Sequence, residues 1–520
     1  MCLALKTTFE EISPADFFYR NRDIAGFSNP VRALYSSVRE LVENSLDACE
    51  AGQILPSIYV RFQHVSGAVD GVSIYRARFQ DNGIGVPAEK IPLAFGKVLY
   101  GSKYELRQSR GTFGLGGKMA LLYGQITTNM PARITSSTGD EYIHEYEMSI
   151  DIQRNRPNVL RYRTRPNEKQ WRGTILEFST EGDYTRASYK IVEYLKQTAM
   201  ANPYADITFV DPRGRLYIFE RTVKKMPPAA RETKPHPHGA DVETVQRLIG
   251  VTKAEDMVEF LTAHFHRVGR RIAGRFLKAA GVDPSQSPKG LSQDAIVRLV
   301  AAMKSFEGFL PPDGSCLSPL GRELLEAGIV KELRPEFTSV AVRQPSAYSG
   351  YAFIVEVGLA YGGEVPRTGD LLLYRFANKI PLLYDETSDV SWKVAHGSVN
   401  WRHYRVNPLE EPLAVVVHVC STKIPYKTVG KESLADRPEV EREILNALRE
   451  AGRSLREYLS RKERAERDRK RLDIYRRYLP KIAHFSTKLS GNEYEPPLEP
   501  LLAKVARLDN PEAEEAVRIS

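Results

Sequence analysis

RELVENSLDA, at residues 39–48, is the stretch of sequence that decides the fold. On an α-helix, Glu40, Asn44 and Asp47 fall within about 60° of one another around the axis. The opposite side of that helix carries the apolar side chains of Val38, Leu41, Val42, Leu46 and Cys49. The pattern predicts a helix that packs its apolar face on a core and aligns two carboxylates and a carboxamide on its polar face. Because any amphipathic surface helix also has a polar face, a purely structural role is the alternative.

DNGIG, at residues 81–85, directly follows the alternating run SIYRARFQ of residues 73–80. Asp-Asn-Gly is typical of a turn that ends a strand, and an ordinary turn is therefore the alternative interpretation. In a functional site, Asp81 would accept a hydrogen bond from the amine of a base. Gly85 would let the backbone approach the ring, because it has no side chain.

GTFGLGGK, at residues 111–118, is a glycine-rich loop that follows GSKY at residues 101–104 and leads into the helical pattern MALLYG at residues 119–124. A flexible loop at a helix N-terminus is a natural site for a polyphosphate, since backbone N–H groups and the helix dipole act together there. The loop is not a Walker A motif, because Gly117 stands where that motif has lysine. A surface loop without a ligand is the alternative.

A fourth motif, RGTILEF at residues 172–178, places Gly173 and Thr174 at the start of a predicted strand. In order and spacing, the four motifs resemble those of the GHKL ATPases. This resemblance implies an α/β sandwich, with helices on one side of a mostly antiparallel sheet. It also implies ATP bound with Mg²⁺ between those helices and the glycine-rich loop, which would act as a lid.

Longer stretches resemble one family within this group, the topoisomerase VI B subunits. They are SPADFFYRNRDIAGFSNPVRALYSSVRELVENSLDA (13–48), AFGKVLYGSKY (94–104), NKIPLLYDETSDVSWKV (378–394) and HVCSTKIPYKTVGKES (418–433). Because these stretches span most of the chain, the resemblance is specific. It implies the ATPase subunit of an archaeal-type, type IIB topoisomerase, an isomerase that changes DNA topology.

The resemblance also implies a multidomain α+β architecture. The expected parts are a GHKL (Bergerat) ATPase domain at 1–228, a helix–two-turns–helix domain at 229–310 that includes a Pro-rich linker, a transducer domain at 311–475 with a βαβ core, and a short tail at 476–520. The periodicity independently predicts that the transducer ends in a long helix, with one apolar face formed by Val440, Ile444, Leu448, Ala451, Leu455 and Leu459. Beyond it, RKERAERDRKR (461–471) is a solvated face, a partner surface or a basic patch.

The resemblance assigns roles to individual residues. Glu40 would be the general base that orients or deprotonates the attacking water, and Asn44 would ligate Mg²⁺. Asp81 would bind the adenine amine, with room left by Gly85, and Thr174 would also contact the nucleotide. The residues expected to close over the phosphates are Ser102, Lys103, Gly111, Thr112, Phe113, Gly114, Leu115, Gly116, Gly117 and Lys118.

A transducer lysine completes the expected site. Lys431 occupies the position from which the family's lysine reaches the γ-phosphate, although Lys423 and Lys427 lie nearby. Its combination with Mg²⁺ suits phosphoryl chemistry, which depends mainly on positioning and charge neutralisation. Two features differ from the family pattern: Gly117 replaces a larger residue, and the tail is short.

Composition limits the class of protein and its partners. There are 74 Lys and Arg against 65 Asp and Glu, a net charge of +9, which is compatible with DNA or simply with solubility. No apolar run approaches the roughly 18 residues of a membrane span, so no membrane association is expected. The four cysteines lack CxxC spacing, which favours a reducing cytoplasm. The family resemblance implies that the protein is associated with the nucleoid there.

The expected partners follow from the resemblance. ATP would make two B subunits dimerise and close a gate around duplex DNA, and a separate A subunit would cleave the DNA within an A₂B₂ heterotetramer. The Arg-rich stretch FHRVGRRIAGRFLKAAGV (265–282) either touches DNA phosphates or is simple surface charge. Three other functions compete: a GHKL ATPase with another DNA task, a histidine kinase, and an ATP-gated clamp without turnover.

Overall fold

The computed structural model describes residues 11–69, 71–101, 105–111, 114–428, 430–491, 497–500 and 502. Of the residues expected to bind phosphates, Ser102, Lys103, Thr112 and Phe113 lie outside the described residues. In the described parts of the chain, no helix is both long and apolar enough to cross a membrane.

An eight-stranded sheet forms the N-terminal part of the chain, in the order β5-β4-β3-β6-β2-β1-β7-β8. Neighbouring strands are antiparallel except β1 and β7, which are parallel. The strands are β1 (Ser57–Val69), β2 (Val72–Asp81), β3 (Ala132–Thr138), β4 (Tyr142–Asp151), β5 (Arg156–Pro166), β6 (Arg172–Gly182), β7 (Asp206–Val210) and β8 (Leu216–Phe219). The helices are α1 (Pro14–Arg20), α2 (Pro30–Ala51), α3 (Ile91–Gly96), α4 (Gly116–Thr128) and α5 (Tyr184–Ala201).

Helix α2 carries the first motif and lies against the sheet. It begins where the Asn29 side chain accepts a hydrogen bond from the backbone N–H of Arg32 at 3.0 Å, and Pro30 occupies its first turn. The predicted apolar face is buried in the core, at Val38, Leu41, Val42, Leu46 and Cys49. Each large aliphatic side chain buried in this way contributes about 1.5–3 kcal/mol. Because α2 and α4 both pack on β6, the predicted α/β sandwich is confirmed.

Four helices with their own apolar core follow the Pro-rich segment. They are α6 (Val242–Val251), α7 (Met257–His264), α8 (Arg270–Ala280) and α9 (Gln293–Ser305). Between α7 and α8 the chain turns through Phe265–Gly269, and Arg267 takes a φ of +56° there. The small helical domain expected after the Pro-rich segment is therefore present.

A second, six-stranded sheet belongs to the transducer part. Its elements are α10 (Gly321–Leu333), β9 (Phe337–Val342), β10 (Ser346–Tyr348), β11 (Tyr351–Tyr361), β12 (Leu372–Ala377), β13 (Ile380–Pro381), α11 (Val390–Lys393) and β14 (Leu413–Ser421). Strands β12 and β14 are parallel and α11 lies between them in sequence, which is the predicted βαβ core.

The last long element is α12 (Pro438–Ser490), a single helix of 53 residues. The apolar face predicted between Val440 and Leu459 is buried along its length. The helix continues past residue 475, so the segment expected to be a tail begins inside it. The chain divides into two compact units, of which the smaller consists of Trp401–Val406 and the residues from Gly452 onward.

Candidate functional site

The predicted catalytic residues meet in one cavity of about 970 Å³, lined by residues of α2, the end of β2, the glycine-rich loop and the segment around Lys431. Glu40 and Asn44 both line it, one turn apart on α2. The start of α4 approaches both: a Cβ on Gly116 would lie 1.7 Å from Glu40 Oε2, and one on Gly117 would lie 3.0 Å from Asn44 Nδ2. The close approach accounts for the small residue at 117.

The first turn of α4 is suited to an anion. The N-cap residue, Leu115, makes no side-chain hydrogen bond to that turn, and residues 114–118 line the cavity together with Glu40 and Asn44. Helix N-termini of this kind bind phosphate through their backbone N–H groups. The Lys118 ammonium group is turned to the loop itself, where it donates to the carbonyl oxygens of Tyr100 and, at 3.0 Å, Gly114.

Asp81 lies at the end of β2 and is almost completely buried. Its carboxylate accepts hydrogen bonds from Ser45 Oγ at 3.1 Å, from the N–H of Gly83 at 2.9 Å and from the N–H of Thr174 at 3.3 Å. Burial raises the pKa of Asp81 to about 6, although these hydrogen bonds oppose the shift. Thr174 and Asp81 are thus brought together from different strands.

Gly85 is required by its surroundings. Its φ is +71°, and a Cβ there would lie 2.0 Å from the carbonyl oxygen of Ser137. Since the obstacle is backbone, no side chain fits without moving β3. Gly85 also lines the cavity, so the backbone turn after Asp81 leaves open space beside that carboxylate.

Lys431 reaches the same cavity from the transducer part. Its ammonium group donates to the carbonyl oxygen of Arg110 at 2.9 Å and lies 3.8 Å from Glu43 Oε2. The flanking residues are also bound by α2: Arg39 Nη1 donates to the carbonyl oxygen of Gly430 at 3.0 Å, and Arg32 forms an ion pair with Glu432 at 2.9 Å. Helix α2 therefore holds three successive residues of this loop.

Glu43 has no role in the sequence prediction, yet it sits next to Lys431. It is 2% exposed, and burial raises its pKa to about 7 while the positive charges of Lys431 and Arg39 lower it. Glu40 raises the same pKa, because the two carboxylates are one turn apart. The Arg39 side chain in turn bonds Glu40 Oε1 at 2.9 Å.

A buried ion-pair network, also absent from the prediction, extends from the C-terminal end of α2. Arg110 pairs with Asp47 at 2.9 Å and with Glu50 at 2.6 Å, and Lys379 pairs with the other oxygen of Glu50 at 2.8 Å. Burial raises the pKa of Glu50, but the two cations outweigh it and hold that pKa well below its usual value. Because Glu50 continues the spacing of Asn44 and Asp47, the sequence did contain a signal for it.

The chain is similar to proteins of one family along most of its length. Residues 312–471 match the family described as "Topoisomerase VI B subunit, transducer". A Metallosphaera sedula protein, named as the B subunit of type 2 DNA topoisomerase 6, is 44% identical over 92% of this chain and 90% of that protein. A Saccharolobus shibatae protein of the same name is 42% identical over 94% of this chain and 93% of that protein.

One solved structure with a similar fold is more distant in sequence. It is described as the N-terminal domain of a DNA repair protein and has a TM-score of 0.41 and 13% identity, covering 86% of this chain and 98% of that chain. The family assignment does not depend on it. At 42–44% identity over more than nine-tenths of its length, and with the predicted motifs gathered around one cavity, the chain belongs to the topoisomerase VI B subunit family.

Proposed function

We propose that this chain binds and hydrolyses ATP, and that ATP-driven dimerisation of two copies gates the passage of duplex DNA in complex with a DNA-cleaving A subunit. The observation that carries the proposal is the convergence of Glu40, Asn44 and Lys431 on one cavity. Lys431 comes from the transducer part of the chain, so the site joins two parts of the molecule.

The residues around the cavity fit a magnesium nucleotide. The uncapped first turn of α4 lines the cavity and suits polyphosphate oxygens, and Asp81 is a buried acceptor suited to an amine. Asn44 would hold Mg²⁺, which supplies charge neutralisation to the phosphate oxygens when it is bound. Gly85 and Thr174 would flank the base.

Glu40 would accept the proton of the attacking water or orient that water. Its carboxylate lies against the start of α4, beside the expected position of the phosphates, and the bond from Arg39 fixes one of its oxygens. Lys431 would exchange Glu43 and the Arg110 carbonyl for the γ-phosphate. This exchange would change the contacts that hold the transducer, and would so couple nucleotide binding to the gating of DNA passage.

Two surfaces support the proposed partners. In the helix–two-turns–helix region, several basic side chains are exposed, namely Arg267, Arg270, Arg271, Arg275 and Lys278, and they suit DNA phosphates. The far end of α12 exposes large apolar side chains, which suits docking of the A subunit.

Relaxation of supercoiled DNA tests the proposal. The chain is assayed with ATP and Mg²⁺, in the presence and absence of the A subunit from the same organism, and relaxation is expected only with both subunits and ATP. The Glu40→Ala variant is expected to lose ATP hydrolysis by at least about a hundredfold while it keeps nucleotide-dependent dimerisation.

Two results would contradict the proposal. Unchanged ATPase activity in Glu40→Ala would exclude Glu40 as the base. Dimerisation with nucleotide but no turnover in the parent complex would indicate a clamp in place of an ATPase.

A further inference from the structure

The turn between β12 and β13 is the transducer feature that the proposed function leaves unexplained. Its two residues, Asn378 and Lys379, have φ angles of +50° and +67°, and both side chains are buried. Two positive φ values in succession are those of a tight two-residue hairpin turn, in which Asn-Gly is the preferred pair. A lysine in the second position is unusual, and such strain persists where the surroundings hold it in place.

Asn378 connects this turn to the part of the chain just before the glycine-rich loop. Its side-chain nitrogen donates to the carbonyl oxygen of Ser109 at 3.1 Å and to that of Ser421 at 3.0 Å. Its side-chain oxygen accepts from the N–H of Ser421 at 2.9 Å. The residue therefore joins the chain just before the glycine-rich loop to the end of β14.

Lys379 connects the same turn to helix α2. Its ammonium group bonds Glu50 Oε2 at 2.8 Å and Ser318 Oγ at 3.2 Å, while its backbone N–H donates to His418 Nε2 at 3.0 Å. His418 lies on β14, the strand that leads to Lys431. Lys379 is thus fixed to the strand that precedes Lys431 and to the helix that carries Glu40 and Asn44.

The segment before the glycine-rich loop is bound to the transducer at further points. Gln108 and Ser318 exchange two hydrogen bonds, of 2.7 and 3.2 Å. Two residues after Gln108, the guanidinium group of Arg110 donates a hydrogen bond to Glu50, and the carbonyl oxygen of Arg110 accepts one from Lys431. Glu50 is therefore paired with two cations, Arg110 just before the glycine-rich loop and Lys379 in the transducer.

We propose that Lys379 is a positioning residue for ATP turnover, which holds Glu50 and thereby sets the position of Arg110 and Lys431 relative to the γ-phosphate. The proposal rests on the proposed function. Lys379 acts through Glu50, since its ammonium group bonds that carboxylate and Ser318. Loss of the ammonium leaves Glu50 with Arg110 and Tyr204, so the carboxylate keeps hydrogen-bonded partners while the connection to the transducer is lost.

The position of Lys379 predicts a selective defect. Steps that depend on the γ-phosphate should suffer, because Glu50, with which Arg110 is paired, loses its ionic link to the transducer turn at Lys379. Binding of the base should be unaffected, because the Asp81 carboxylate is held by Ser45, Gly83 and Thr174, none of which belongs to the turn. A general loss of stability would instead weaken both the steps that depend on the γ-phosphate and the binding of the base.

Lys379→Gly is the variant of choice, because it creates an Asn-Gly turn that accepts the observed φ without strain. The hairpin is therefore retained, while the whole buried side chain of Lys379, with its ammonium group, is removed. In the full chain, with its A subunit for turnover assays, kcat for ATP is expected to fall about tenfold. The preference for a non-hydrolysable ATP analogue over ADP should shrink by a similar factor, with ADP affinity unchanged within about twofold.

Two further variants serve as controls. Lys225→Met removes an exposed lysine that pairs with Glu323, and it should match the parent in every assay. Lys379→Arg keeps a cation at the turn and is expected to recover most of the lost turnover.

Each outcome decides a different question. Parental kcat and analogue preference in Lys379→Gly would overturn the positioning role, and so would parallel losses of turnover, ADP affinity and thermal midpoint. Failure of the parent chain to bind either nucleotide would overturn the proposed function itself.

Discussion

Asp81 is a carboxylate whose burial brings its titration close to neutral pH. Its ordinary pKa of 3.8 rises to about 6, because the surrounding protein disfavours the charged form. Protonation puts a hydrogen on the oxygens that are expected to accept a bond from the adenine amine. Above pH 6 the ionised acceptor dominates, and below pH 6 the neutral acid does.

Nucleotide affinity should therefore weaken as the pH falls through about 6. For a group with this pKa, the ionised fraction drops from roughly nine-tenths at pH 7 to one-tenth at pH 5, so the dissociation constant of ADP should rise about tenfold. Calorimetric titration between pH 5 and pH 8 measures this change. Asp81→Asn, which cannot titrate, should bind ADP weakly at every pH, and a tenfold pH effect in that variant would assign the titration to another group.

At this scale, local spacing predicts some of the site. Glu40, Asn44 and Asp81 stand in short motifs whose geometry follows from a helix or a turn, and the structure places all of them at the cavity. The partners of Glu50 were not predictable, because Lys379 is 329 positions away in sequence. Periodicity describes one element and contains no information about which distant side chains meet.

The burial and the polarity of the side chains change along helix α12. Its first part is buried through a stripe with a spacing of three or four residues, and its middle part is highly charged. A second stripe of the same spacing appears near its end and is exposed to solvent, at Ile474, Tyr478, Ile482, Phe485 and Leu489. The sequence predicts the first stripe and the start of the helix. The charged middle part has no apolar face, so periodicity does not predict that the helix continues beyond it.

Substitution in the exposed stripe should separate ATP chemistry from assembly. Ile482→Glu places a charge in the apolar surface proposed to dock the A subunit, and the affinity for that subunit should fall at least tenfold. Arg476→Glu, roughly 120° away around the helix, is the matched control and should bind normally. Co-purification and sedimentation measure binding, and equal affinity in both variants would place the A-subunit contact elsewhere.

At the scale of the whole molecule, the loop at residues 430–432 belongs to the transducer part and also lines the nucleotide cavity. Gly430, Lys431 and Glu432 are each bonded by a residue of α2, and Lys431 also contacts the chain before the lid. Family resemblance predicts that this lysine belongs at the site. Its pairing with Glu43 depends on a tertiary contact across 388 positions, which local sequence does not specify.

Lys431→Ala should leave the chain able to bind nucleotide but unable to respond to the γ-phosphate. ADP affinity is expected to stay within about twofold of the parent, while the preference for a non-hydrolysable ATP analogue falls about tenfold. Dimerisation on addition of the analogue should weaken in parallel. The exposed Lys423→Ala is the control, and an unchanged preference in Lys431→Ala would contradict the switch role.

The absence of side-chain space at Gly116 and Gly85 also limits how the protein can adapt to small molecules. At Gly85 any larger residue collides with the backbone at Ser137, and at Gly116 it displaces the Glu40 carboxylate. Drug resistance against a compound that occupies the base and phosphate regions therefore cannot arise at either glycine without loss of the site. It must arise at cavity residues whose side chains can vary, such as Ile84 and Gln53.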